Sequence, residues 1–157
     1  MSAKERTAVL VKPDGLQRGL IGEIISRFER KGLKLVGIKM VRMDDDMLSD
    51  WYVEHKEKSF FGDLKSFMSE MPIVAMAWEG IDAARVVRGL VGTTSGREAE
   101  AGSIRGDFGM SQQYNLIHAS ANSEDAVREV KIVFTDDELF EYSGVLENVI
   151  YAEYELK

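Results

Sequence analysis

The sequence contains no cysteine, which excludes a disulfide framework and a thiolate-bound metal centre. Proline occurs only twice, and no Pro/Gly-rich linker, low-complexity run or internal repeat interrupts the chain. The expectation is one domain over residues 1–157, long enough to bury a core without staples. No apolar run approaches the length of a membrane span. The polar start from Met1 to Arg6 lacks the apolar stretch of a signal peptide. A soluble, cytoplasmic protein without a membrane partner is expected. Positive charge is also in deficit. A net charge of −7 argues against nonspecific nucleic-acid binding, which needs a basic footprint, and no specific nucleic acid is expected either. Any polyanion bound here must meet cations gathered at one place.

The phosphate-binding glycine motifs are missing too. There is no Gly-x-x-x-x-Gly-Lys-Ser/Thr, and no Gly-x-Gly-x-x-Gly after a strand. No His/Asp/Glu group has a metal-site spacing, so no metal-ligating residue is assigned. The acidic run at 44–46 reads as a helix start.

What is present is a clear alternation of elements. Residues 7–11 are an apolar, β-rich run ending at the turn Lys12-Pro13-Asp14-Gly15. Ile21, Ile24, Ile25 and Phe28 form one helical stripe, closed by Arg30, Lys31 and the cap Gly32. Residues 33–43 read as a long strand with an exposed, pairing-competent edge. Two short helices follow, one carrying Met47, Leu48, Trp51 and Tyr52, the other Phe60 or Phe61, Leu64, Phe67 and Met68. Residues 73–78 read as a central strand, 82–91 as a helix, 92–113 as mostly irregular and 114–119 as a short strand. Asn122 can cap a last long helix that buries Val127, Val130, Val133 and Phe134. Two βαβ halves give an α+β class: a ferredoxin-like α/β sandwich with a four-stranded antiparallel sheet covered by helices. A parallel doubly wound sheet is compatible with the same connection lengths.

Few residues carry recognisable chemistry. His118 sits among apolar neighbours and on position alone reads as a core histidine; His55, in a charged stretch, reads as an exposed helical residue. Glu129 lies beside the apolar stripe Ala126, Val130 and Val133. Solvated, it pairs with a neighbouring cation; turned to the sheet, it can hold one nitrogen of His118 and leave the other free to attack. Lys12, Arg88, Arg105 and Thr94 are each ordinary surface groups taken singly. Converged, they would form the clamp that phosphoryl transfer needs.

These signals join in Asn115-Leu116-Ile117-His118-Ala119-Ser120, which resembles the active-site signature of nucleoside diphosphate kinases, Asn-x-x-His-Gly/Ala-Ser-Asp. Val11 to Gly22, Tyr52-x-x-His55-x-x-Lys58-x-Phe60-Phe61, Met76 to Gly80 and Gly102 to Phe108 resemble further segments of that family, in order, over residues from about 5 to 135. The resemblance implies a ping-pong transfer of the γ-phosphate from a nucleoside triphosphate to a diphosphate through a phosphohistidine at His118. It implies that Glu129 holds the other ring nitrogen and that Ser120 supports Glu129. Lys12, Tyr52, Arg88, Thr94 and Arg105 would bind or polarise phosphates. Asn115, with Lys12, would contact the sugar, and Phe60 would stack on the base with little preference. Magnesium would arrive on the phosphates, and the assembly would be a homo-hexamer.

The sequence departs from the family pattern at several positions. Ala121 stands where aspartate is usual, Ala119 where glycine is commoner, and Gln112 where an apolar residue often covers the base. Ser59 and Gly96 replace prolines, the latter in a loop that helps build the family's trimer contacts. Two rivals remain. One is a nonenzymatic nucleotide-binding module, which Ala121 favours and His118, Glu129 and Arg105 oppose. The other is a structural protein, which nucleotide would not stabilise against heat.

Overall fold

The computed structural model describes residues 4–157; residues 1–3, part of the polar start, lie outside them. Strand β1 (Lys4–Val11) is buried from Thr7 onward. The chain turns into the short helix α1 (Pro13–Gln17), where Pro13 at the first turn forfeits no hydrogen bond. Helix α2 (Ile21–Lys31) buries Ile24 and Phe28 and stops at Gly32, whose φ of 101° is left-handed. Strand β2 (Lys34–Val41) follows. Helix α3 (Asp45–Trp51) is capped by Asp44, which accepts the Met47 N–H at 2.8 Å. After a 3-10 turn at Val53–His55 comes α4 (Phe61–Ser69), then the almost wholly buried strand β3 (Ile73–Ile81) and α5 (Ala83–Val91). The remaining elements that matter to the pocket are α6 (Ile104–Phe108), β4 (Ile117–Ala119) and α7 (Ser123–Val133), the last capped by Asn122.

The sheet order is β2-β3-β1-β4, and every neighbouring pair is antiparallel. This is the expected ferredoxin-like sandwich; the antiparallel registers exclude the doubly wound alternative. Alternation along β1 supplies both faces. Ala8 and Leu10 pack with Leu48, Trp51, Met68 and Val130 under α3, α4 and α7. Val9 and Val11 pack with Ile24, Phe28, Trp78 and Val87 under α2 and α5.

The stretch 92–113 is mostly irregular, as expected; within it the Ser103 hydroxyl accepts the Gly106 N–H at 3.0 Å and caps the short helix α6. Two expectations are corrected. The strand at 114–119 shrinks to β4, because Leu116 takes a left-handed φ of 74°. That strained residue is held by Lys12 N–H on its carbonyl (2.8 Å) and by its own N–H on Asp14 Oδ2 (2.9 Å). Val127 is 55% exposed rather than buried, because α7 turns Ala126, Glu129, Val130 and Val133 inward and 127 falls off that face. Along the outer edge of β2, Phe140 N–H bonds Val36 O and the Tyr142 hydroxyl bonds Leu35 O. Ile38 and Met40 stay exposed.

Candidate active site

Strand β4 pairs His118 with Leu10, so the histidine shares the face of the sheet that α3 and α7 cover. Its Nε2 lies 3.2 Å from Glu129 Oε2. Glu129 is 3% exposed, which rules out the solvated reading. Ser120, wholly buried behind it, donates to the same oxygen at 2.6 Å. The His118 ring is neither sealed in the core nor free: its side chain is 21% exposed and opens into a pocket of about 710 Å³. Among the described residues its Nδ1 has no hydrogen-bond partner, so Nδ1 is the nitrogen available to a ligand.

The cations converge on the same pocket. Lys12 leaves the end of β1 and donates to Asn115 Oδ1 at 2.8 Å. The Asn115 amide in turn donates to Thr94 O (2.9 Å) and Gln112 O (2.8 Å), tying the long loop to β4. Arg105, 5% exposed, is fixed by the carbonyls of Asn115 (3.2 Å), Gly92 (3.1 Å) and Ile117 (2.5 Å). Arg88 reaches from α5 to Ala119 O at 3.5 Å. None of Lys12, Arg88 and Arg105 makes an ion pair among the described residues, so their field is left for an anion.

The titration shifts follow from that crowding. Burial, then Arg105, lowers Lys12 to about 8, with Asp14 opposing. Burial, then Arg88, lowers Arg105 to about 10, so the guanidinium stays charged at neutral pH. Burial also holds His118 below the ordinary histidine value. Glu129 raises it, and Lys12 and Arg105 push it further down. The balance favours neutral imidazole, the nucleophilic form. Burial, then Glu129, raises Tyr52, keeping its hydroxyl a neutral donor; that hydroxyl is buried without a protein partner.

Lys12, Tyr52, Phe60, Arg88, Thr94, Arg105, Asn115, His118 and Glu129 all line the pocket, as do Gln112 and Ala121. Trp51, Glu54, Leu64, Gln113, Asp125 and Arg128 line it as well, although nothing in the sequence marks them as pocket residues; Trp51 and Leu64 read there as helix residues of the core. His55 is corrected: it sits in the 3-10 turn, half-buried, with ring centroids 6.0 Å from Tyr52 and 5.5 Å from Phe60. The spacing Tyr52, His55, Phe60 is a signal that could have placed it. Among the described residues no group of three or more acidic or imidazole side chains is arranged to hold a metal ion. Of the pocket carboxylates Glu54, Asp125 and Glu129, the last is committed to His118. The donors therefore suit a divalent cation carried by phosphates better than a protein cage. Among the described residues no helix is long and apolar enough to cross a membrane.

Residues 5–139 match the family model for nucleoside diphosphate kinase. A nucleoside diphosphate kinase of Parabacteroides distasonis is 54% identical over 138 residues, 88% of this chain and 90% of that protein. The halophilic nucleoside diphosphate kinase of Halobacterium salinarum, solved in complex with CDP, superposes with a TM-score of 0.90 at 46% identity, over 95% of this chain and 99% of that one. The Borrelia burgdorferi enzyme, solved as a transition-state mimic with vanadate and ADP, gives 0.86 at 40% identity, over 93% and 96%. The chain belongs to the nucleoside diphosphate kinase family and is an enzyme of nucleotide phosphate transfer.

Proposed function

We propose that this enzyme moves the γ-phosphate of a nucleoside triphosphate to a nucleoside diphosphate in two half-reactions through a phosphohistidine at His118. The observation that carries the reading is the 3.2 Å contact between His118 Nε2 and Glu129 Oε2, which leaves Nδ1 free in a pocket that Lys12, Arg88 and Arg105 also line. The Nδ1 lone pair attacks the γ-phosphorus. The bond to the bridging oxygen breaks, and the diphosphate leaves with that electron pair. The proton on Nε2 stays there, stabilised by Glu129. In the second half a terminal oxygen of another diphosphate attacks the phosphorus and the N–P bond breaks.

Lys12, Arg88 and Arg105 offset the charge on the transferring group, and Thr94 and Tyr52 supply hydroxyl donors. Asn115, with Lys12, meets the sugar. Phe60, 45% exposed at the outer end of the pocket, offers a stacking face that accepts any base, which supports broad base specificity. Magnesium would be held mainly by the nucleotide phosphates, with Glu54 and Asp125 as nearby carboxylates. When bound it neutralises phosphate charge. The proposal extends to a cytoplasmic enzyme forming one domain over residues 1–157. It also extends to a homo-hexamer, for which the exposed Ile38 and Met40 on the edge strand supply an apolar surface.

Initial rates measured with ATP against a second diphosphate test the two-step form. Parallel double-reciprocal lines, with purine and pyrimidine diphosphates both accepted, are expected. Intersecting lines would contradict it, since they require both nucleotides on the enzyme at once.

A further inference from the structure

In the sequence Trp51 reads as a core residue of α3, one turn beyond Leu48. The structure puts it at the wall between core and pocket. It is 2% exposed, yet it borders the pocket, and its ring lies 5.0 Å from that of His118 at 72°. Tyr52, the next residue, stands at 6.2 Å and 89°. Glu129 holds one ring nitrogen, but a single hydrogen bond leaves the imidazole plane free to pivot about it. Perpendicular aromatic neighbours remove that freedom, because edge-to-face contact is lost as the ring turns. The indole Nε1 is buried without an acceptor, so packing, not a hydrogen bond, sets its own orientation.

We propose that Trp51 is a positioning residue for His118: it holds the imidazole plane that directs Nδ1 into the pocket and keeps water from that side of the ring. The proposal rests on the phosphohistidine reading above. The charged and titratable groups around His118 are Glu129 from α7, Lys12 from the end of β1, Arg105 from α6, Tyr52 from the end of α3 and Arg88 from α5, with Glu54, His55, Asp125 and Arg128 elsewhere on the pocket wall. Of these only Tyr52 also sets a buried ring against the imidazole, at a longer centroid distance than Trp51. Burial is the largest influence lowering the His118 pKa, so thinning that wall raises it.

The test uses the full chain and two substitutions, Trp51→Leu and Trp51→Phe. His118 is followed by NMR titration, simplified because the chain has only two histidines. Labelling by γ-labelled ATP is followed by rapid quench, and ADP affinity by calorimetry. For Trp51→Leu the His118 pKa should rise by about half a unit or more. Its labelling should slow by roughly tenfold or more, while ADP affinity stays within about threefold. Trp51→Phe, which keeps a ring, should restore both. The proposal is overturned if Trp51→Leu leaves the titration and labelling unchanged. It is equally overturned if both variants lose ADP binding and labelling together, the mark of a merely structural residue. If the wild-type protein takes no label, the phosphohistidine reading fails. The titration then still decides on Trp51: an unchanged His118 pKa overturns the packing claim, and a raised one upholds it.

Discussion

Ser120 donates to Glu129 Oε2 at 2.6 Å, on the same oxygen that faces His118 Nε2. A buried carboxylate is thus held from behind by a hydroxyl and presents what remains of its basicity to the imidazole. Ser120→Ala removes a bond to a charged group, worth about 1.5–3 kcal/mol. The expected result is a fall in phosphoenzyme formation of roughly tenfold to a hundredfold with nucleotide affinity little changed. Single-turnover labelling against ADP titration separates the two.

The pH dependence follows from two lowered pKa values of different groups. His118 sits below its ordinary value of about 6.5, so it is neutral at pH 7, and the labelling rate should hold until the pH falls below that value. Protonation of His118 costs the fold as well: stability is expected to decline as pH drops below the unfolded histidine's pKa. Lys12, lowered to about 8, loses its charge as pH rises through that value, so kcat/KM should fall on the alkaline side. A bound phosphate raises the Lys12 pKa again, so the fall in kcat should come at higher pH.

The base end of the pocket makes a separable contribution. Stacking on an aromatic face is worth about 1–3 kcal/mol per base. Phe60→Ala should therefore weaken purine and pyrimidine diphosphates alike, by roughly fivefold to a hundredfold in KM. A loss confined to one base would contradict a nonselective platform, as steady-state comparison of four diphosphates would reveal.

Much of the fold is legible in the sequence, for local reasons. The Gly32 and Asn122 caps, the stripe of α2 and the apolar run of β3 each mark their element within a few residues. The failures are where tertiary contacts decide. Leu116 breaks its strand because Asp14 and Lys12, a hundred residues earlier, grip its backbone. Val127 looks as apolar as Val130, and the inward face is settled by the packing of Ala126, Val130 and Val133 together with Glu129 beside His118. The pocket itself is not local at all. Lys12 meets Asn115, and nothing in composition or spacing states that distance. Motif resemblance anticipates the residues gathered there, but not Trp51 or Asp125, which look like ordinary helix positions.

The loop before β4 gives a prediction about stability. Gly96 replaces a proline common in the family, yet a Cβ there would meet the Gly109 backbone carbon at 2.3 Å. Gly96 N–H also donates to Ser111 O at 3.1 Å, a bond proline cannot make. Gly96→Pro should therefore destabilise this chain, by about 2 kcal/mol or more from overpacking and the lost bond. A thermal melt should fall by several degrees, at about 2–4 °C per kcal/mol. A raised melting temperature would show that the loop backbone differs from the one described.

The central claim is that His118 carries the phosphate. Purified protein mixed with magnesium and γ-labelled ATP, with no acceptor present, should take up label in an acid-labile, base-stable form. A diphosphate of another base should then remove that label, and His118→Ala should abolish both steps. Nucleotide binding without label on the protein, or label that survives in His118→Ala, would contradict the account.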